Sequence, residues 1–293
     1  VKEQLTAGVI SSAAPQLAGY LKTREEQYGV QFAGVLTDGE TWLLYDLEGD
    51  ELRGVDSHVV NPADPDAAER LWRWLQTIVT TGERLPVRAT DIEERLGSGS
   101  PRYRLNAARL SALYAEHASV AHVSLKRELW ARLLRTALGA SFEDDEGLFV
   151  DHTLLVIEAE IIAHLVVGLD PSAIDPADLV SGAKFREAGI FGVVESDFFD
   201  WPAEVPGGTA FIADLVREIS QFDWSAIDHD VLKHLYQSVI SPERRKRLGE
   251  YYTPDWLARK VIDEVVTDPI AQRTMDPACG SGTFLFHLVK KVL

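Results

Sequence analysis

Asp276-Pro277-Ala278-Cys279-Gly280-Ser281-Gly282-Thr283-Phe284 is the run whose residue types and spacing suit a definite chemistry. They suit the binding of an anionic or nucleotide-like ligand through backbone amides. Two glycines one residue apart permit a tight turn and a close approach of backbone to a ligand. Phe284, Leu285, Leu288, Val289 and Val292 recur at helical spacing, which predicts a helix over 283–293. A glycine turn ahead of a helix aims free N–H groups and the positive end of the helix dipole at an anion or carboxylate. Upstream, 270–275 reads as the end of a first parallel strand. Asp276-Pro277 would stop it, because proline cannot donate to a ladder. A bare Gly-x-Gly also serves as a packing turn, whereas the full string is far more restrictive.

The string resembles the AdoMet-binding motif of N6-adenine DNA methyltransferases. A second block supports the resemblance: Leu248-Gly249-Glu250-Tyr251-Tyr252-Thr253-Pro254-Asp255-Trp256 is similar to the Tyr-Thr-Pro segment of the gamma-type enzymes. It lies about two dozen residues ahead of the glycines, in the family's order. The resemblance implies that both loops face one S-adenosyl-L-methionine. Thr253 would bind its methionine end, Tyr252 and Pro254 would shape the pocket, and Asp276, Ala278, Gly280 and Gly282 would line the other side. Read without the family, Tyr251 and Tyr252 pack a helix entry, with Thr253 as the N-cap and Pro254 at the first helical position. Both readings are compatible.

The same family uses an Asn/Asp/Ser-Pro-Pro-Tyr/Phe tetrapeptide to hold and stack a flipped-out adenine. The sequence contains none; Asn61-Pro62-Ala63-Asp64 is not one. The acidic residue expected about 20 positions after the glycines, for the ribose hydroxyls, falls beyond Leu293. The chain is therefore expected to be the N-terminal portion of a larger enzyme, inactive in methylation by itself and carrying no catalytic residue. That residue 1 is Val, with Met275 the only methionine, agrees.

The elements that must position these loops follow from pattern. The chain has 293 residues, 46% of them hydrophobic, room for two or three domains with real cores. Net charge is −17, but it is uneven. Residues 241–293 carry nine Lys/Arg against seven Asp/Glu, about +2, so the first 240 residues carry −19. Arg244-Arg245-Lys246-Arg247 is the one dense basic cluster and can meet DNA phosphate. A solvated helix face is the competing reading. The acidic bulk puts the main DNA clamp elsewhere in the parent enzyme. A single cysteine, Cys279, excludes an internal disulfide framework and suits a reducing cytoplasm. It is expected as a small buried residue. The apolar run 154–169 is interrupted by Glu158, Glu160 and His164, so no membrane span is expected, and no signal peptide is visible.

Residues 1–97 read as a small α/β domain: a helix over 3–20, β-runs at 31–37 and 41–47 joined by Asp38-Gly39-Glu40, and a helix over 65–81. In that last helix Ala68, Leu71, Trp72, Leu75, Ile78 and Val79 lie on one side. The Leu36-Thr37-Asp38-Gly39 core with Trp42 and Tyr45 resembles the restriction-endonuclease-like domain of type I subunits and fused restriction–methylation enzymes. That domain carries an Asp and a Glu-x-Lys on a metal. No Glu-x-Lys occurs here, so no cleavage and no metal are expected; Lys2 stands where such a lysine could fall. Residues 103–240 read as a helical connector, with helices over 104–116, 124–138, 151–167, 208–220 and 229–239. Loops are expected at 97–101, 170–178 and 201–208, the first as the domain boundary. Phe191 to Phe199 with Asp200-Trp201 resembles the Phe-Phe-x-Trp stretch ahead of the methyltransferase core in fused enzymes. Glu158, Glu160, His152 and His164 read as a polar helix face rather than a metal site.

The fold class is thus mixed α and β. A truncated restriction-endonuclease-like part comes first (1–97), then a helical connector (103–240), then the truncated start of a Rossmann-like AdoMet-dependent domain (241–293). The implied function is adenine N6 methylation with AdoMet as cofactor, in restriction–modification or phage defence. DNA and other subunits of a defence complex are the partners. The alternative is a non-catalytic connector module whose apolar face around Phe284, Leu288 and Val292 meets another polypeptide.

Overall fold

The computed structural model describes residues 4–79, 85–139, 142–224, 230–240, 245 and 252–293. Helix α1, Ala7–Tyr28, opens the chain and runs eight residues past the expected end. It stops at Gly29, which takes the left-handed conformation (φ 67°) and returns its N–H to the Glu25 carbonyl. Strands β1 (Gly34–Thr37), β2 (Thr41–Glu48) and β3 (Glu51–Val59) form an antiparallel meander in that order. The Asp38 turn is built as its residues demand. Gly39 has φ 98°, and Asp38 Oδ1 accepts from the Glu40 and Thr41 amides at 3.1 and 2.7 Å. Strand β3 has no strong alternation in the sequence and is set by pairing with β2 across Gly49-Asp50.

Helix α2, Ala67–Ile78, forms as expected but buries a different side. Ala67, Trp74 and Thr77 are buried, whereas Trp72 and Val79 are 59% and 56% exposed. Polar contacts choose that side: the Trp74 indole donates to Asp56 (3.0 Å) and the Thr77 carbonyl accepts from buried Arg102 (2.5 Å).

The helical body follows. Helix α3 is Ala89–Leu96, α4 Pro101–His117, α5 Ala121–Leu138 and α6 Glu146–Val166. Two short helices, α7 (Pro176–Val180) and α8 (Ala183–Glu187), precede α9 (Gly208–Ile219) and α10 (Val231–Val239). Ser100 caps α4 by accepting from the Tyr103 amide, with Pro101 at the first position, where its missing N–H costs nothing. Strand β4 (Leu85–Pro86) pairs in parallel with β5 (Phe222–Asp223). The 97–101 segment is bonded to α10: the Ser98 amide and hydroxyl both donate to the Ser238 carbonyl, at 3.0 and 2.9 Å. Ile92 and Leu96 belong to the same buried cluster as α4, α6, α9 and α10. The meander is tied to this body by the bidentate Arg109–Asp46 pair (2.7 and 3.1 Å), with both side chains buried.

The expected loop 201–208 begins instead with a 3-10 turn, Trp201–Glu204, whose tryptophan is fully buried. Its ring packs on Tyr114 and Phe149, and its N–H donates to Thr153 Oγ1 at 3.1 Å. Beside it, Asp200 accepts from Lys126 and Ser196. The Phe-Phe-x-Trp stretch therefore anchors the body's aromatic core.

The expected polar face on α6 is overturned. That helix is apolar nearly all round and is the central rod, so Glu158, Glu160 and His164 are buried with it. Burial, with Glu218 nearby, pushes the Glu158 carboxyl well above its ordinary range. Burial, with Asp197 and Asp200 nearby, pushes Glu160 up to about 9. Burial holds the His164 imidazole below its usual value. Among the described residues no group of three or more His, Cys, Asp or Glu is placed to hold a metal, and no helix is long and apolar enough to cross a membrane.

A pH dependence follows. Between the unfolded carboxyl value and about 9, folded Glu160 holds a proton that the unfolded chain has lost. Stability then falls as pH rises, by up to about 1.4 kcal/mol per unit. Glu160→Gln removes this slope. Its advantage over wild type in urea unfolding should be small at pH 5 and widen toward pH 8. An advantage that does not change with pH would show that Glu160 is ionised in the fold.

Candidate functional site

Helices α11 (Asp255–Val265) and α12 (Thr283–Val292) carry the two motif blocks. The expected strand at 270–275 does not form. Ile270 and Met275 are 84% and 83% exposed, and no described strand lies beside the segment to take up a parallel strand's backbone groups. The glycine turn itself is as the residues require. Gly280 has φ 55° and Gly282 φ 90°, and the Gly282 amide donates to the Cys279 carbonyl at 2.8 Å. Gly282 is the N-cap of α12 and offers no side-chain acceptor, and among the described residues no side chain caps the helix's first amides. Among the described residues a Cβ built on either glycine meets nothing within 4 Å. Their conformations need glycine, and the space beside them is open. Cys279, expected to be buried, is exposed, as are its neighbours Ala278 and Gly280.

Asp276 folds back on the turn. Its Oδ1 accepts from the Ala278 amide at 3.1 Å, while its Oδ2 is enclosed with no hydrogen-bond partner among the described residues. Ala278 and Gly280 are exposed. A cleft of about 520 Å³ lies between α11, the 272–277 segment and α12, lined by Ile262, Val265, Met275, Asp276, Phe284 and Leu288 among others. Of the expected cofactor residues it touches Asp276 alone. Its lining is mostly apolar, so it is a packing groove rather than the polar site.

At the other block, Pro254 rather than Thr253 is the N-cap of α11, one residue later than expected. The Pro254 carbonyl receives the Leu257 and Ala258 amides at 3.0 Å each. Thr253 is half-buried and its carbonyl accepts from Lys233 Nζ at 3.1 Å. Half-buried Tyr252 has its ring 5.9 Å from that of Tyr236.

The two blocks are brought together by α10. Asp230, its N-cap, accepts from the Lys233 amide through Oδ1 (3.0 Å). Through Oδ2 it accepts from the Ser281 and Thr283 hydroxyls, at 2.9 and 3.0 Å. Lys233 reaches the other way, to the Thr253 carbonyl and to Asp255 Oδ1, each at 3.1 Å. His287 of α12 lies 3.8 Å from the same Asp255 oxygen. Sequence reading missed Asp230, Lys233 and His287. A capping signal at Asp230 was present, but nothing in the spacing connects it to residues about 50 positions away. Of the basic cluster, Arg245 is half-buried and its Nε donates to the Ile240 carbonyl at 3.1 Å. Arg244, Lys246, Arg247, Tyr251 and Lys2 lie outside the described residues.

Residues 227–293, which contain both loops and α10, match the N-6 DNA Methylase family. This segment is thus similar to N6-adenine DNA methyltransferases. The chain is also similar to the type I restriction enzyme MjaVII methylase subunit of Methanocaldococcus jannaschii, with 30% identity over 156 residues, 52% of this chain and 25% of that protein. That aligned stretch is more than twice as long as 227–293, so over half of it lies in the part before residue 227. The chain spans about a quarter of the length of this relative. No solved structure matches the chain.

Proposed function

We propose that the chain is the N-terminal portion of a site-specific adenine DNA methyltransferase working in the cytoplasm in restriction–modification or phage defence. In this reading 241–293 begins the Rossmann-like AdoMet domain and 103–240 is a connector. Residues 1–97 are a restriction-endonuclease-like part, as in fused type IIG-like enzymes, with no nuclease motif of its own. The carrying observation is Asp276. One of its oxygens holds the glycine turn and the other has no partner among the described residues, in the segment leading to a helix that no described side chain caps.

The residues fit an AdoMet molecule. Open space beside Gly280 and Gly282 leaves room for it, and the free amides of α12 suit its carboxylate. Asp276 Oδ2 offers an acceptor to a ligand donor. Tyr252, Thr253 and Pro254 supply the facing wall, and Ala278 keeps the turn slim. When bound, AdoMet supplies an electrophilic methyl for the amino group of adenine. This chain's own residues bind and orient the cofactor. With no Pro-Pro-Tyr/Phe tetrapeptide they do not hold the base, so the chain alone transfers no methyl. DNA enters through the complete enzyme, with Arg244, Arg245, Lys246 and Arg247 as phosphate contacts.

The test is ultraviolet crosslinking with methyl-labelled AdoMet, followed by peptide mapping. Label should fall within 252–254 or 276–282, and duplex DNA should gain none. Label spread over the chain, or methylated adenine produced by the chain alone, would overturn the respective half of the proposal. A non-catalytic module in a multi-subunit assembly is the second reading. It is favoured by the apolar groove at Phe284 and Leu288 and by the relative's being named a subunit.

A further inference from the structure

Asp230 and Lys233 stand one helical turn apart at the start of α10 and reach in opposite directions. Asp230 holds the hydroxyls of Ser281 and Thr283, and Lys233 holds the Thr253 carbonyl and Asp255. Both side chains are buried, the residues being 8% and 6% exposed. The glycine turn is otherwise open: Ala278, Cys279 and Gly280 are exposed, and among the described residues a Cβ built on Gly280 or Gly282 meets nothing within 4 Å.

We infer that Asp230 and Lys233 are positioning residues that fix the separation of the glycine turn and the Tyr-Thr-Pro loop, and so set the affinity for AdoMet. The inference rests on the cofactor reading above and adds a third element to it. A ligand held by two loops loses affinity to the ordering of each one, and loops fixed beforehand avoid that loss. A buried ammonium keeps its place only when its donors are met. Lys233 is therefore a rigid strut: its two partners lie on either side of the N-cap of α11. Asp230 meets Ser281 and Thr283, which flank Gly282, the N-cap of α12. His287, 3.8 Å from Asp255, closes the circuit back to α12. The helix spacing thereby becomes a property of one turn of α10.

The experiment uses the full chain with AdoMet as the probe. Calorimetric titration is run on wild type, Asp230→Ala, Asp230→Asn, Lys233→Met and Arg109→Met, below each unfolding transition. Arg109→Met breaks the ion pair to the meander and is the stability control. Asp230→Ala and Lys233→Met are expected to weaken AdoMet binding by about 10-fold or more, the loss typical of a hydrogen bond to a charged group. Asp230→Asn keeps an acceptor and the helix cap and should recover part of the affinity. Arg109→Met should unfold earlier yet bind AdoMet as wild type does. Wild-type affinity in Asp230→Ala and Lys233→Met would overturn the inference and leave the cofactor reading standing. An equal loss in Arg109→Met would also overturn it, by showing a general effect of stability. If wild type binds no AdoMet, the cofactor reading fails, and amide exchange reads the tether separately. Faster exchange at 253–257 in Lys233→Met and at 281–286 in Asp230→Ala would retain the positioning role. Unchanged exchange would remove it.

Discussion

Asp276→Ala lowers the affinity for AdoMet by roughly 10- to 100-fold, the range that a lost hydrogen bond to a carboxylate spans. Two effects add in this substitution. The ligand loses the acceptor at Oδ2, and the turn loses the bond from the Ala278 amide to Oδ1 that shapes it. Asp276→Asn separates them. Asparagine retains an acceptor for Ala278 but presents a donor where Oδ2 stood, so it should keep the turn and still bind weakly. Calorimetric titration of both variants checks the result. An unchanged dissociation constant in Asp276→Ala would falsify the assignment of this turn to AdoMet, whatever the DNA substrate of the parent enzyme. The unfolding midpoint should hardly move, since the turn is at the surface and carries little of the core.

Trp201→Ala costs about 3 to 5 kcal/mol, as expected for removing a fully buried aromatic side chain. Tyr114 and Phe149 lie against the indole, with ring centroids 5.6 and 6.5 Å away. Thr153, itself buried on α6, would lose the indole N–H it accepts. Around this point α4, α5 and α6 share one aromatic cluster, because Trp130 is 5.2 Å from Phe149. At about 2 to 4 °C per kcal/mol for a chain of this size, the midpoint should fall by roughly 10 °C. Trp201→Phe keeps an aromatic ring but loses the N–H and part of the indole's volume, so it should recover only part of the deficit. Differential scanning calorimetry distinguishes the two. A loss near 1 kcal/mol in Trp201→Ala would mean that 201–204 is a surface turn after all.

Most of the helical body was legible because its helices announce themselves locally. Ser100-Pro101 starts α4 by capping and by proline's fixed φ, and Gly208 to Ile219 shows the apolar spacing that its burial repeats. The Asp38 turn was equally plain, since the Glu40 and Thr41 amides both go to the adjacent Asp38 side chain. What misled was the meaning of polar residues inside apolar runs. Glu158 and Glu160 read as a solvent face, but α6 is surrounded on every side, and both carboxyls are expected to stay protonated instead. On α2 the buried stripe was misplaced because indole and arginine hydrogen bonds, rather than apolar area, chose the docked side. The 270–275 strand failed for a related reason: a parallel strand is a contract with neighbours, and local residue preference cannot supply them.

The sequence by itself determined which residues bend the chain at the glycine turn, where α12 begins, and that this stretch resembles adenine DNA methyltransferases. These are properties of short-range sterics and of a restrictive run of residues, so they survive without a fold. Only the tertiary structure decided what holds the turn in place. Asp230 and Lys233 connect Ser281 and Thr283 to Thr253 and Asp255 across separations of about 20 to 50 residues. Those bonds exist because buried polar groups must find partners wherever the packed helices bring them, and sequence distance places no constraint on that choice.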